Sequence, residues 1–66
     1  MMNEVILYAA KTGDYYLHKE KDGNATLVGL ERTSVYPKIE DAKALAALVD
    51  DGRVVELLLT EKECLD

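Results

Sequence analysis

Phenylalanine and tryptophan are absent, so Tyr8, Tyr15, Tyr16 and Tyr36 are the only aromatic residues. Much of any core must come from them, although tyrosine also suits a partly wet contact surface. The lone Cys64 excludes an internal disulfide and suits a reducing cytoplasm. One cysteine and one histidine, His18, cannot build a metal site without borrowed carboxylates. Gly13, Gly23, Gly29 and Gly52 are dispersed, so no glycine loop is available to cradle a phosphate. The longest apolar run, 5–10, has six residues, far short of the roughly 18 that suggest a membrane span. Glu4 stands where a secretory signal would carry positive charge. Bases are also scarce, with eight against thirteen acids and a net charge of −5. That balance argues against direct nucleic-acid binding, which needs a basic footprint.

What is present reads as one small domain over residues 1–66, with 48% apolar and 32% charged residues. Its charge is uneven. Residues 1–49 are near balance at −1, while residues 50–66 carry −4. Asp50, Asp51, Glu56, Glu61 and Glu63 therefore define an acidic surface toward the C-terminal end. The plain reading is a solubility device. The sharper reading is a surface that meets a basic partner or imitates a phosphate backbone. Residues 61–66 read as a frayed acidic tail.

Residues 3–10 predict a strand without a breaker, apolar on both faces and therefore central. A turn at 11–14 follows, with Gly13 able to take positive φ. The segments 15–21 and 24–30 flank Asp22-Gly23, a strong hairpin signal that predicts a two-residue type I′ turn. That turn sets Lys21 opposite Asn24, Lys19 opposite Thr26, Leu17 opposite Val28 and Tyr15 opposite Leu30. Tyr15, Leu17, Val28 and Leu30 then share one face, with Tyr16, His18 and Leu27 on the other. Residues 31–36 form a connection with an extended piece at 34–36, because Pro37 keeps Tyr36 out of helical geometry.

A helix over 38–50 is expected. Glu40 and Asp41 favour its positive end, four alanines favour its interior, and Gly52 is expected as a left-handed cap. Ile39, Ala42, Leu45, Ala46 and Val49 make one stripe. Leu48 lies off it, under a loop or in an exposed patch. Residues 53–60 predict the last strand. Glu56 must face water or a partner, Val54, Leu58 and Thr60 share its face, and Val55, Leu57 and Leu59 are assigned to the helix.

The expected class is α+β: an antiparallel sheet of three or four strands with one helix on one face, in the order β-β-β-α-β. One helix covers one face only. Ile6, Tyr8, Val54 and Leu58, with Leu48, are thus the expected dimer or partner surface. A homodimer is expected, formed face to face or strand edge to strand edge, unless the 31–37 connection and the tyrosines shield the second face.

No catalytic set is expected. His18 sits beside Tyr16 in the hairpin without an evident orienting partner. Glu61, Glu63 and Asp66 disfavour a Cys64 thiolate. Asp50-Asp51-Gly52 lacks the spacing of a cation loop. No enzyme activity, cofactor, metal or membrane association is predicted.

Gly13-Asp14-Tyr15-Tyr16-Leu17, then Val35-Tyr36-Pro37 with Ile39-Glu40-Asp41-Ala42, then Val54-Val55-Glu56-Leu57, together resemble small phage- and prophage-encoded proteins. More distantly, the order of elements is similar to that of HicB-type antitoxins, with Gly29-Leu30-Glu31 in place of that family's proline-glycine turn. With no active-site set, an under-covered sheet and an acidic end, the leading expectation is a small cytoplasmic, phage- or bacterially encoded protein-binding module. Its sharper version inhibits a nucleic-acid-handling complex, of anti-CRISPR or anti-restriction type. The antitoxin resemblance implies a regulatory module of a toxin–antitoxin system. Neither resemblance implies catalytic residues.

Overall fold

A computed structural model describes residues 3–64. In chain order the elements are β1 (Glu4–Thr12), β2 (Tyr15–Lys19), β3 (Ala25–Val28), a 3₁₀ turn (Leu30–Arg32), α1 (Ile39–Ala46) and β4 (Arg53–Thr60). The strands form one antiparallel sheet in the spatial order β3-β2-β1-β4. The α+β class and the β-β-β-α-β order are as expected, and the breaker-free β1 is central. Among the described residues no helix is long and apolar enough to cross a membrane.

The first hairpin turns tightly. Thr12 pairs with Tyr15, leaving Gly13 and Asp14 as the loop, and of these two only Gly13 has positive φ, at 56°. Positive φ at the first loop position alone is the type II′ arrangement, which suits the twist of the strands.

The second hairpin differs from expectation by one residue. Lys19 pairs with Ala25, Leu17 with Leu27 and Tyr16 with Val28. Glu20 N–H donates to Asn24 O at 2.8 Å, and Gly23 N–H donates to Glu20 O at 3.0 Å. The loop is therefore Lys21-Asp22-Gly23, with Gly23 at φ 92° and Asp22 outside the positive-φ region. This is a type I turn followed by a left-handed glycine, not a type I′ turn. Asp22 supplies the reason: its Oδ1 accepts Asn24 N–H at 2.9 Å, a local turn bond that holds the longer loop. Leu27 thereby joins the face of Leu17, and Val28 joins Tyr16 and His18.

After two paired positions β1 and β2 diverge, and residues 33–36 fill the fork. Tyr36 exchanges two backbone hydrogen bonds with Tyr8, at 2.8 and 2.9 Å. Ser34 N–H donates to Leu17 O at 3.0 Å, and the Thr33 hydroxyl donates to the same oxygen at 3.0 Å. The extended geometry that Pro37 imposes on Tyr36 is what lets it act as a short strand here.

The core joins Ala10 and Leu17 of the sheet to Leu45 and Ala46 of α1, with Ala25, Tyr36, Val49 and Val54 packed around them. The helix thus lies on the Val54 face of β4, not on the Val55, Leu57 and Leu59 face expected for it. Ala10, opposite Val54 in the ladder, and Ala46 let the helix approach closely. The other face is taken by the connection after β3, which must pass over β2 to reach the fork. Arg32 accordingly lies with His18, Thr26 and Val28, which share that face.

The helical stripe packs as expected: Ala42, Leu45 and Ala46 are buried. The helix itself ends at Ala46, earlier than the expected 38–50, and loosens into turns through Leu48 N–H to Leu45 O and Val49 N–H to Ala46 O. Asp51, not Gly52, takes the left-handed conformation, at φ 56°. Gly52 answers a different need, since a Cβ there would collide with the Ala46 carbonyl.

From first to last residue, the eight residues of α1 rise about 10.5 Å, whereas the eight of β4 span roughly 23 Å. The β1–β4 ribbon therefore projects beyond the helix, and the molecule measures 40 × 23 × 22 Å.

Candidate protein-binding surface

The projecting ribbon pairs Val5 with Leu59 on one face and Ile6 with Leu58 on the other. Their relative exposures are 54% and 53% for the first pair, and 48% and 62% for the second. Strand propensity places all four there: Ile6 and Leu58 lie on the helix face beyond the reach of α1, and Val5 and Leu59 lie on the opposite face, where the 30–35 connection runs alongside and leaves them exposed. Beside the ribbon, Leu30, Val35, Leu57, Leu58 and Leu59 line an open groove of about 410 Å³. The fork sets this geometry, since Tyr36 bonded to Tyr8 carries Val35 alongside the β1–β4 ribbon.

Of the surface expected from sequence, Ile6 and Leu58 come together as a cross-strand pair and are exposed. Tyr8 and Val54, on the same face, are half-buried, and Val54 packs against the core beside the helix, so the helix covers the inner part of the face expected to be open and leaves only its tip exposed. Leu48 is exposed on the helix side, on a separate groove with Lys19, Tyr36 and Ala44. Sequence reasoning placed Leu30 in the strand 24–30 opposite Tyr15, whereas β3 ends at Val28 and Leu30 opens the 3₁₀ turn; it left Val35 in the connection and assigned Leu57 and Leu59 to the helix.

The acidic residues do not converge. Asp50 and Asp51 occupy the turn before β4, where the Thr12 hydroxyl donates to Asp50 O at 3.0 Å. Glu56 is exposed mid-strand. Glu61 and Glu63 lie past the far end, where Asn3 Nδ2 donates to Glu61 Oε1 at 2.8 Å. The length of β4, roughly 23 Å, separates the two groups. Asp66 lies outside the described residues, and Cys64 is exposed.

A second cleft, of about 540 Å³, holds His18, Glu20, Thr26, Val28 and Arg32. His18 Nε2 is 3.9 Å from Glu20 Oε2, and its Nδ1 is 3.4 Å from Ser34 Oγ. Sixteen residues separate His18 from Ser34, so only the fork reveals this neighbourhood. Serine, imidazole and carboxylate are the components of nucleophilic catalysis, but the Ser34 oxygen already accepts Lys19 N–H at 2.9 Å. Glu20 likewise accepts the Thr26 hydroxyl at 2.9 Å. With both His18 and Glu20 half in water, their attraction is weak. The cluster reads as a hydrogen-bonded strand surface. Next to it on the same face, Lys11 Nζ sits 4.4 Å from the Tyr16 ring centroid. Among the described residues no group of three or more His, Cys, Asp or Glu converges as metal ligands.

No family model, curated protein or solved structure matches the chain.

Proposed function

We propose that this chain is a small protein-binding module of the phage-encoded kind its sequence resembles, acting by association and not by catalysis. The exposed apolar ribbon supports the reading, with Val5, Ile6, Leu58 and Leu59 presented on both faces next to the Leu30–Val35 groove. Burying one leucine or isoleucine side chain is worth about 1.5–3 kcal/mol, so a few such contacts suffice for a stable complex once association costs are met. The favoured partner is a host or phage protein presenting an extended or helical apolar segment. A nucleic-acid-handling complex remains the proposed class of target, engaged through this apolar surface. Phosphate mimicry fits less well, because the carboxylates are divided between the two ends of β4.

Tagged wild-type protein and a Leu30→Glu, Val35→Glu variant, both checked for folding by circular dichroism, would be used to capture proteins from a native host. The expected result is a partner retained by wild type and by a Lys43→Glu control but lost by the groove variant. Identical captures by all three would sink the groove as the contact surface. Recovery of a nuclease complex favours inhibition, and recovery of a cognate toxin favours the antitoxin reading.

A further inference from the structure

We propose that β4 pairs antiparallel with β4 of a second copy, about a two-fold axis through Leu57, joining two four-stranded sheets into one. This goes beyond the partner reading and holds whether or not anything occupies the groove. β4 is last in the sheet order, so among the described residues its outer edge carries no strand. Eight residues of unpaired edge form a ready template for another strand, and neither proline nor a bulge interrupts it.

The direction of the backbone groups restricts the register. Tyr8 uses its N–H and C=O on Tyr36, so Tyr8 and Glu56 are a non-hydrogen-bonded pair of the β1–β4 ladder. Glu56 therefore directs its own N–H and C=O outward, as do Val54, Leu58 and Thr60. A second β4 must align these even-numbered residues with one another.

Side-chain chemistry selects among the registers this leaves. An axis at Glu56 sets two carboxylates directly opposite each other, which is unfavourable. An axis at Leu58 sets Val55 against Glu61. An axis at Leu57 makes the odd-numbered side of β4 self-complementary: Arg53 meets Glu61, Val55 meets Leu59 and Leu57 meets Leu57. Like meets like in the middle, and opposite charges meet at both ends. Glu61 is in place to do this, because its N–H donates to Asn3 O at 2.9 Å and so continues the ladder. An antiparallel pair keeps matched residues on one face. Both helices then lie on one side of the joined sheet, and two copies of Val55, Leu57 and Leu59 form a continuous apolar strip on the other. The exposed charge pairs choose the register, while the ladder and the strip supply affinity.

Sedimentation equilibrium at micromolar concentration is expected to give twice the 7.3 kDa chain mass. Glu61→Arg sets arginine against Arg53 and should raise the dissociation constant about tenfold or more. Adding Arg53→Glu should restore the dimer. Both side chains also bond within their own chain, Arg53 to Gly13 O at 2.9 Å and Glu61 Oε1 to Asn3 Nδ2 at 2.8 Å, so the rescue by the double variant is the readout that isolates the contact between copies. In a Cys64→Ser background, Leu57→Cys should cross-link under mild oxidation, since non-hydrogen-bonded antiparallel pairs bring their Cβ atoms close. Val55→Cys should not, because the two copies of residue 55 lie roughly 13 Å apart in this register. A monomer throughout the micromolar range would overturn the proposal, as would a dimer without the Leu57→Cys cross-link. A dimer indifferent to Glu61→Arg would overturn the Leu57-centred register.

Discussion

Gly23 and Gly52 both follow an element in the sequence, yet they answer different constraints. Gly23 sits at φ 92° with open space where a Cβ would go, so its requirement is conformational alone. Gly23→Ala should cost about 1–2 kcal/mol, the left-handed penalty for an L-residue. Gly52 has no unusual φ, but a Cβ there meets the backbone of Ala46, which cannot rotate away. Gly52→Ala should therefore cost about 2 kcal/mol or more and shift the end of α1. Asp51 is the opposite case, an acid at φ 56° just past a helix C-terminus. Asp51→Gly removes the left-handed backbone strain of a residue with a Cβ and should add about 0.5–1 kcal/mol. Urea denaturation of the three variants orders them: Gly52→Ala lowest, then Gly23→Ala, with Asp51→Gly above wild type.

At the scale of elements, what was legible in the sequence depended on whether alternatives differed in polarity. β1 was legible because 5–10 carries no breaker, and the helix because Ile39, Ala42, Leu45, Ala46 and Val49 repeat at helical spacing beside polar neighbours. The register of the second hairpin was not. Leu27 and Val28 are both apolar, so a one-residue slip leaves the pattern acceptable, and Asp22-Gly23 fits a two- or a three-residue loop. The choice rests on the Asp22 carboxylate bonding Asn24 N–H, a contact that has no pattern. The face of β4 was equally ambiguous, since Val54 and Val55 are interchangeable on hydropathy. The path of the connection decided it, and a path is not written in any window of residues. Ile6 and Leu58 were expected at the surface because the helix was assigned to the opposite face; they are exposed for another reason, the projection of the ribbon beyond α1, and Leu30 and Val35 gave no surface signal at all. The packing itself is testable by contrast. Leu17, fully buried under α1, should lose about 2–5 kcal/mol on truncation to alanine. Leu58→Ala, at the exposed tip of the ribbon, should stay within about 0.5 kcal/mol in dilute solution. Equal losses in chemical denaturation would contradict the placement of the helix.

At the scale of the whole molecule, a narrow body and a long open ribbon make the outer edge of β4 the place where isolated and assembled chains differ. The two sides of this strand have different hydrogen-bonding fates. Odd-numbered residues direct their N–H toward β1, so the amides of Val55, Leu57 and Leu59 are bonded within one chain. Even-numbered residues direct theirs outward, so the amides of Glu56 and Leu58 meet water unless a second strand covers them. Amide exchange reads these two sets separately in one experiment. In dilute samples Val55, Leu57 and Leu59 should be protected, while Glu56 and Leu58 exchange at rates near those of unstructured peptides. As concentration rises, Glu56 and Leu58 should gain protection together with the dimer mass, while the odd-numbered set changes little. Pairing through the sheet face instead would slow neither Glu56 nor Leu58 selectively, because no new backbone bonds would form at the edge. Alternation along five consecutive residues thus separates an edge-joined dimer from a face-joined one without any mutation. Uniform, concentration-independent exchange at Glu56 and Leu58 would leave the edge of β4 open in the assembled protein.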